Sequence, residues 1–484
     1  MADNGGWFDQ WDDRIGDGLE AVLRAHHRRR LQRLGWGEAI DPARSERWWS
    51  TRAPVRVGNS VEVFIDGASA LPEMEKEIRG AQHSVHIANW HASPDFEMSR
   101  GRDAKALRDL LAETAERVPV RLLLWAGPPV PVFAPTRRMV KQARAEFIRD
   151  SRVRCELDHR GRTLHCHHEK IIIVDGALAF VGGIDLTALQ GDRYDDSDHH
   201  PREALRWHDA AVRLRGPAVI DVERHFAHRW SEVAGETLPE PVQPVVDGDV
   251  EVQVIRTVPE RTYRFAPRGE FTILDAYLRA LRSAEHFIYL ENQFLWSSEV
   301  VNVLVDKIKH PPRDDFRLLL LLPAKPSNGR DTTRGQLGRL LNADAGANRL
   351  LATTVIGHAG ESQPPVYVHA KIGIVDDRWL TVGSANLNEH SLFNDSEMNV
   401  LTCDAGLARQ TRLRLWSEHT EQPIETLNQE PYRLIDDVWR PIAEGQARRA
   451  REGLSPTHRL TLLPNVSRRT DRLEGPMRGL LVDG

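Results

Sequence analysis

One eight-residue pattern occurs twice in this chain, and that duplication narrows the folds open to it. His168-Glu169-Lys170 is followed after four residues by Asp175, and His369-Ala370-Lys371 after four residues by Asp376. Downstream, Gly182-Gly183-Ile184-Asp185 and Gly383-Ser384-Ala385-Asn386 keep a common register, seven residues beyond each aspartate. Other landmarks repeat at a similar offset. Residues 81–87 (AQHSVHI) match 284–290 (AEHFIYL), each ending an amphipathic helix and opening a strand, and residues 120–125 (VRLLLW) match 316–322 (FRLLLLL). Each half reads helix, strand, helix, strand, loop, motif strand, further strand. Near-continuous apolar strands alternating with helices call for a sheet covered on both faces. The expected fold is α/β: two tandem domains related by a pseudo-twofold axis, each a mixed sheet flanked by helices, with the active site at their interface.

The halves are expected at 55–240 (motif 168–175) and 250–430 (motif 369–376). They join near residues 235–249, where Pro239, Pro241 and Pro244 interrupt any periodicity. In residues 1–50, Ile15, Leu19, Val22, Leu23, Leu31 and Leu34 recur at partly helical spacing with arginines between them. This reads as a basic helical arm, docked on its domain or lying on a membrane surface. Residues 431–484 are rich in arginine and read as a basic tail. At 484 residues with 40% hydrophobic content the chain has ample core, and its net charge of −5 gives no reason to expect a nucleic-acid partner. Three cysteines without metal-finger spacing argue against a disulfide framework. The first residues lack a basic-then-apolar leader, and the longest aliphatic run, 318–322, falls far short of the roughly 20 residues a span needs. A cytoplasmic protein in peripheral contact with a membrane is expected, and the loop containing Val132 and Phe133 either presents them to an acyl interface or packs stiffly on its own domain. The oligomeric state is open, and a monomer is compatible.

The motif residues carry the chemistry. Side chains alternate across a strand, so His168 and Lys170 share a face, as do His369 and Lys371. Asp175 and Asp376 fall on the other parity at the strand end and are expected to brace the following turn. A phosphodiester repels any approaching nucleophile until its charge is offset, which two lysines can do without a metal or other cofactor. One neutral imidazole can attack phosphorus while the other, protonated, serves the leaving oxygen and later activates water. Histidine can hold both protonation states near neutral pH. Each ring needs an orienter, and Asp209 and Glu397, acids in later apolar stretches, are candidates. Ser384 and Asn386 offer neutral donors to the substrate, while the glycines beside them allow close backbone approach. The run His165-Cys166-His167-His168 is not expected to bind metal, because neighbours on a strand face opposite ways. His199-His200 reads as a solvated loop.

These motifs resemble those of the phospholipase D superfamily over residues 55–430. Residues 288–294 (IYLENQF) are similar to the segment opening the second half of eukaryotic-type phospholipases D. Gly182-Gly183-Ile184-Asp185-Leu186, Arg193-Tyr194-Asp195 and Trp207-His208-Asp209 are similar to blocks after their first motif. The resemblance implies a phosphohistidine intermediate with His168 as nucleophile and His369 as general acid, and it strengthens Asp209 and Glu397 as the acids that hold them. Asp185 stands where many members carry Asn and is given no phosphate-binding role. The implied activity is hydrolysis of a glycerophospholipid to phosphatidic acid and a headgroup alcohol, with transphosphatidylation when an alcohol replaces water. A cardiolipin-synthase-like phosphatidyltransferase or a nuclease would use the same chemistry. A catalytically silent membrane-binding protein is the alternative of another class, and the intact His/Lys pairs count against it.

Overall fold

A computed structural model of the chain describes residues 7–42, 48–129, 134–161, 165–199, 205–325, 330–357, 366–464 and 466. Val132, Phe133, His200, Arg468, Arg469 and Arg472 lie outside the described residues. A long helix α1 (Trp7–Leu34) and a short α2 (Gly37–Ile40) precede the first half. That half runs β1 (Arg56–Ile65), α3 (Gly67–Gly80), β2 (Val85–Asn89), α4 (Leu107–Ala115), β3 (Val120–Trp125), α5 (Arg137–Ile148) and β4 (Arg154–Asp158). The motif strand β5 (Ile171–Val174) follows, then β6 (Leu178–Gly182), β7 (Arg206–His208), β8 (Ala210–Arg215) and α6 (Val219–Ala234). After a linker without regular structure the order recurs: β9 (Val250–Val258), β10 (Glu270–Phe271), α7 (Thr272–Ser283), β11 (Phe287–Glu291), α8 (Ser298–Lys309), β12 (Arg317–Leu321), α9 (Arg330–Asp344) and β13 (Leu350–Val355). Then come β14 (Val366–Val368), the second motif strand β15 (Ile372–Val375), β16 (Trp379–Gly383), β17 (Glu397–Thr402) and α10 (Ala405–Thr420). The last elements among the described residues are α11 (Pro431–Leu434), α12 (Arg440–Arg451) and β18 (Leu460–Leu462).

The duplication is written into the sheet. From the antiparallel contact of β1 with β9, the order outward is β8, β6, β5, β2, β3, β4 in the first half. In the second half it is β17, β16, β15, β11, β12, β13, with β18 on the outer edge. Pairing is parallel over β2, β3 and β4 and over β11, β12 and β13, and antiparallel on both sides of each motif strand; β18 is antiparallel to β13.

Both faces are dry. Ile171 and Ile173 of β5 and Ile372 and Ile374 of β15 enter one shared core between the halves, with Trp230 of α6 and Trp416 of α10. Ile172 and Val174 face the opposite way into a second core under α3, α4 and α5. Val375 faces a third under α7 and α8. Period-two burial on both faces is why the motif strands lack polar alternation. Local signals fix the helix starts. Thr136, Ser297 and Asp404 accept backbone N–H bonds at the first turns of α5, α8 and α10.

Two expectations change. The stretch read as a loop between β3 and the motif contains α5 and β4, and its second-half counterpart contains α9 and β13. Helix α5 is rich in arginine, and only Val140, Ala143 and Phe147 are buried on its inner face. Residues 431–451, expected within a basic tail, are helical, and 460–462 pair as a strand. Leu434, Ile435, Trp439 and Ala443 recur at helical spacing and sink into the shared core, while β18 extends the sheet beyond β13. The arm α1 docks on the second half: His27 Nδ1 lies 2.9 Å from Glu299 and Arg30 Nη2 2.6 Å from Glu260. Among the described residues no helix is long and apolar enough to cross a membrane.

Candidate active site

His168, Lys170, His369 and Lys371 stand just before the motif strands, where each half of the sheet reaches the boundary between the halves. Parity separates the residues of the first motif. Glu169 points away from His168 and Lys170 toward α6, where it lies 2.9 Å from His225 Nε2 and accepts from Arg229 Nη1 at 2.7 Å. Arg229 also reaches Asp158 at 3.0 Å. The second motif places Ala370, fully buried, at the corresponding position.

Each histidine is held by an acid of the opposite half. His168 Nδ1 donates to Glu397, with its oxygens at 3.0 and 3.2 Å. His369 Nδ1 donates to Asp209 Oδ2 at 2.6 Å. The backbone repeats this exchange. His168 N–H donates to Ser396 O at 2.9 Å, and His369 N–H to His208 O at 2.8 Å, in each case the carbonyl just before the bracing acid. A bond from Nδ1–H to a carboxyl oxygen fixes the tautomer and puts the ring's lone pair on Nε2. Lys170 Nζ donates to His168 O at 2.8 Å and lies 3.6 Å from Asp185; Lys371 Nζ donates to His369 O and to Gln293 Oε1 at 3.2 Å.

Burial sets the charges. Desolvation holds His369 well below its ordinary value, helped by the nearby ammonium groups of Lys371 and Lys170 and by Arg193 and His168. That mutual influence places the four motif side chains in one electrostatic site. Desolvation lowers Lys371 to about 7, opposed by Asp209. It raises Glu397 to about 8, against Lys170 and the hydroxyls of Ser384 and Ser391, and raises Asp209 to about 6 against Lys371. Lys170, Lys371 and Arg193 thus share a buried site with Asp185, Asp209 and Glu397, and burial pushes the last two acids toward their neutral forms.

Several sequence expectations move. Asp175 and Asp376 do not brace the turn that follows them. They form it, each at positive φ (56° and 53°), with Ala177 N–H closing on Val174 O and Arg378 N–H on Val375 O. Their carboxylates instead accept from the loop entering the neighbouring strand: Asp175 from Gln82, His83 and Ser84, and Asp376 from Glu285, His286 and Phe287. Ser384, expected to donate to substrate, donates to Glu397, and Asn386 Nδ2 donates to Gln293 Oε1 at 3.2 Å. The close approach that the glycines permit is to protein. A Cβ on Gly183 would stand 2.1 Å from Asp209 Oδ1, so the glycine leaves room for the acid that holds His369. His199 is buried rather than solvated.

Residues the sequence did not single out complete the walls. Trp207 lies 4.3 Å from the His369 ring and carries the Arg193 guanidinium 3.3 Å above it. Trp90 stands 6.4 Å from His168 and 5.9 Å from Lys170 Nζ. Gln293 bridges Lys371 and Asn386. Arg193 and Gln293 lay in stretches similar to known blocks, but no spacing tied them to the motifs.

Comparison with known proteins now has a geometry to stand on. Residues 77–206 match the family model described as "Phospholipase D", and residues 277–417 match "Cardiolipin synthase, PLD-like domain". The chain belongs to the phospholipase D superfamily. It is 26% identical to phospholipase D1 of Schizosaccharomyces pombe over 81% of this chain and 38% of that protein. It is 27% identical to phospholipase D2 of Bos taurus over 73% of this chain and 50% of the relative. The chain thus spans between about a third and a half of these superfamily relatives. The fold is similar to that of phosphatidylserine synthase from Haemophilus influenzae, with a TM-score of 0.52 at 11% identity, covering 83% of this chain and 96% of that one.

Proposed function

We propose that the protein is a phospholipase D-type phosphodiesterase that hydrolyses glycerophospholipids to phosphatidic acid and a free headgroup alcohol. The observation behind this is the crossed bracing: His168 held by Glu397 and His369 held by Asp209, with Lys170 and Lys371 beside them. Both imidazoles then present Nε2 to one phosphorus while two ammonium groups offset its charge.

In the first displacement the Nε2 lone pair of His168 attacks phosphorus and the bond to the headgroup oxygen breaks. Burial and nearby cations hold His369 neutral until the bound phosphodiester's negative charge offsets those cations. His369 then takes up a proton with the substrate and gives it to that oxygen. In the second, His369 takes a proton from water, the water oxygen attacks phosphorus, and the P–N bond returns its electrons to His168. An alcohol in place of water yields a phosphatidyl alcohol. The lipid is met at a membrane surface that the protein contacts peripherally from the cytoplasm.

Purified protein incubated with liposomes of varied headgroup and a short-chain alcohol should release headgroup and form both phosphatidic acid and the phosphatidyl alcohol, read by mass spectrometry. His168→Ala should abolish both products. Lipids left intact while oligonucleotides are cleaved, with binding that weakens steeply in salt, would replace this reading with a nuclease. A second reading, phosphatidyl transfer to a dedicated acceptor, draws support from the cardiolipin-synthase description matched over residues 277–417. It predicts turnover only when a lipid or polyol acceptor is supplied, with negligible phosphatidic acid in water alone.

A further inference from the structure

Behind the phosphodiester site lies a second cluster that the chemistry above does not use. Asp66, between β1 and α3, meets His199, His208 of β7 and Glu418 of α10, and one ligand atom from each lies within 4.8 Å of all the others. The side chains are at most 7% exposed. Their approaches are close: His208 Nδ1 is 2.9 Å from Asp66 Oδ1 and 3.3 Å from Glu418 Oε1, and His199 Nε2 is 3.5 Å from the same Glu418 oxygen. Yet Asp66 Oδ2 has no hydrogen-bond partner, and the contacts of His208 Nδ1 and His199 Nε2 with Asp66 and Glu418 Oε1 are ion pairs that fall outside hydrogen-bond geometry. Buried polar atoms of this kind are costly unless something satisfies them.

The other nitrogen of each ring explains where the lone pairs point. His208 Nε2 is bonded to Glu291 Oε2 at 3.0 Å, and His199 Nδ1 to Asp195 Oδ2 at 2.7 Å. A ring that donates one N–H to a carboxylate turns the lone pair of its second nitrogen to the cluster, the arrangement that orients metal-bound histidines. Tetrahedral donors bonded at about 2.0–2.1 Å stand roughly 3.3 Å apart, which is the scale of the separations seen here. We propose that Asp66, His199, His208 and Glu418 bind one divalent transition-metal ion, zinc foremost. Two imidazoles and two carboxylates form the borderline nitrogen–oxygen set that such ions take and that calcium and magnesium do not prefer. Two carboxylates also leave the site neutral around a divalent charge.

The ion is structural, and its place says what it holds. Three ligands come from the first half and Glu418 from the second, so it staples the halves together. It also sits one residue behind the phosphodiester site. Asp66 accepts from Asp209 N–H at 3.0 Å, and its own N–H donates to Asp209 O at 2.8 Å. The carbonyl of His208 receives the N–H groups of His369 and Ala370. The metal therefore fixes the strand that carries the brace of His369, without touching substrate.

Metal content tests this without any substrate, so the outcome does not depend on the proposed activity. The full-length protein, washed with a weak chelator, should hold one equivalent of zinc by mass spectrometry of the elements. Chelator-stripped protein refilled with cobalt(II) should show the intense visible bands of a tetrahedral site, and refilling with zinc should raise its melting temperature. His199→Ala and the near-isosteric Glu418→Gln should each lose the ion. Protein that holds no stoichiometric metal either as purified or after incubation with zinc chloride would overturn the proposal. So would undiminished metal in folded Glu418→Gln, or stoichiometric uptake of calcium or magnesium in place of zinc.

Discussion

Lys371 is the side chain whose charge is most finely set. Burial brings it to about 7, so its proton is present below that pH and lost above it. An anion that needs the ammonium should bind more weakly as pH rises above 7, by up to about tenfold per pH unit, with Glu397 losing its proton in the same direction. Inhibition by inorganic phosphate or tungstate, measured from pH 6 to 9, checks this; affinity that rises with pH would contradict it. Glu397 carries the opposite lesson for stability. Its folded-state value, about 8, lies above its ordinary 4.5. The folded chain therefore binds that proton more tightly, and this contribution to stability is complete below 4.5 and lost as pH rises toward 8. Glu397→Gln keeps the shape without the charge, so the melting temperature should fall less steeply with pH over that window, while activity drops by about 100-fold or more as the brace of His168 weakens. At this scale the duplicated His/Lys pairs were legible because periodicity in register survives in one dimension. Asp66, His199 and Glu418 were not, because distant segments deliver them singly and no spacing connects them.

At the scale of elements, the motif aspartates couple a hairpin to the antiparallel strand beside it. Asp376 joins β15 to β16 at a backbone angle that disfavours most side chains, while its carboxylate caps three amides entering β11. Asp376→Ala loses both features. The strained turn and the unmade bonds together should cost about 2–4 kcal/mol, read as a lower urea midpoint at unchanged slope, with Asp376→Asn milder because asparagine tolerates the angle. A cost near zero would show the carboxylate to be idle. The sequence displayed the parity of these aspartates but not what they hold, because their partners are backbone groups about 90 residues away. Helices α5 and α12 were hidden for another reason. Their arginine-rich outer faces outweighed the few buried residues that mark the inner ones.

For the whole molecule, the two halves share one core and one continuous sheet through β1 and β9. Neither half has a complete site, since each histidine borrows its acid from the other. Unfolding should therefore be a single transition, with calorimetry and near-ultraviolet circular dichroism coinciding; two separated transitions would show that the halves fold independently. The tandem α/β architecture was readable because the repeat extends over hundreds of residues. The crossing of the braces was not, because it depends on how the halves face each other.

The most direct test of one shared phosphorus site is to trap the intermediate. A phosphodiester with an activated leaving group needs no acid for the first step, so His369→Asn should accumulate a phosphorylated chain when rapidly quenched. Mass spectrometry should map the phosphoryl group to His168. Label on a residue other than His168, or substantial turnover surviving in both His168→Ala and His369→Asn, would mean that the two motifs do not serve one reaction.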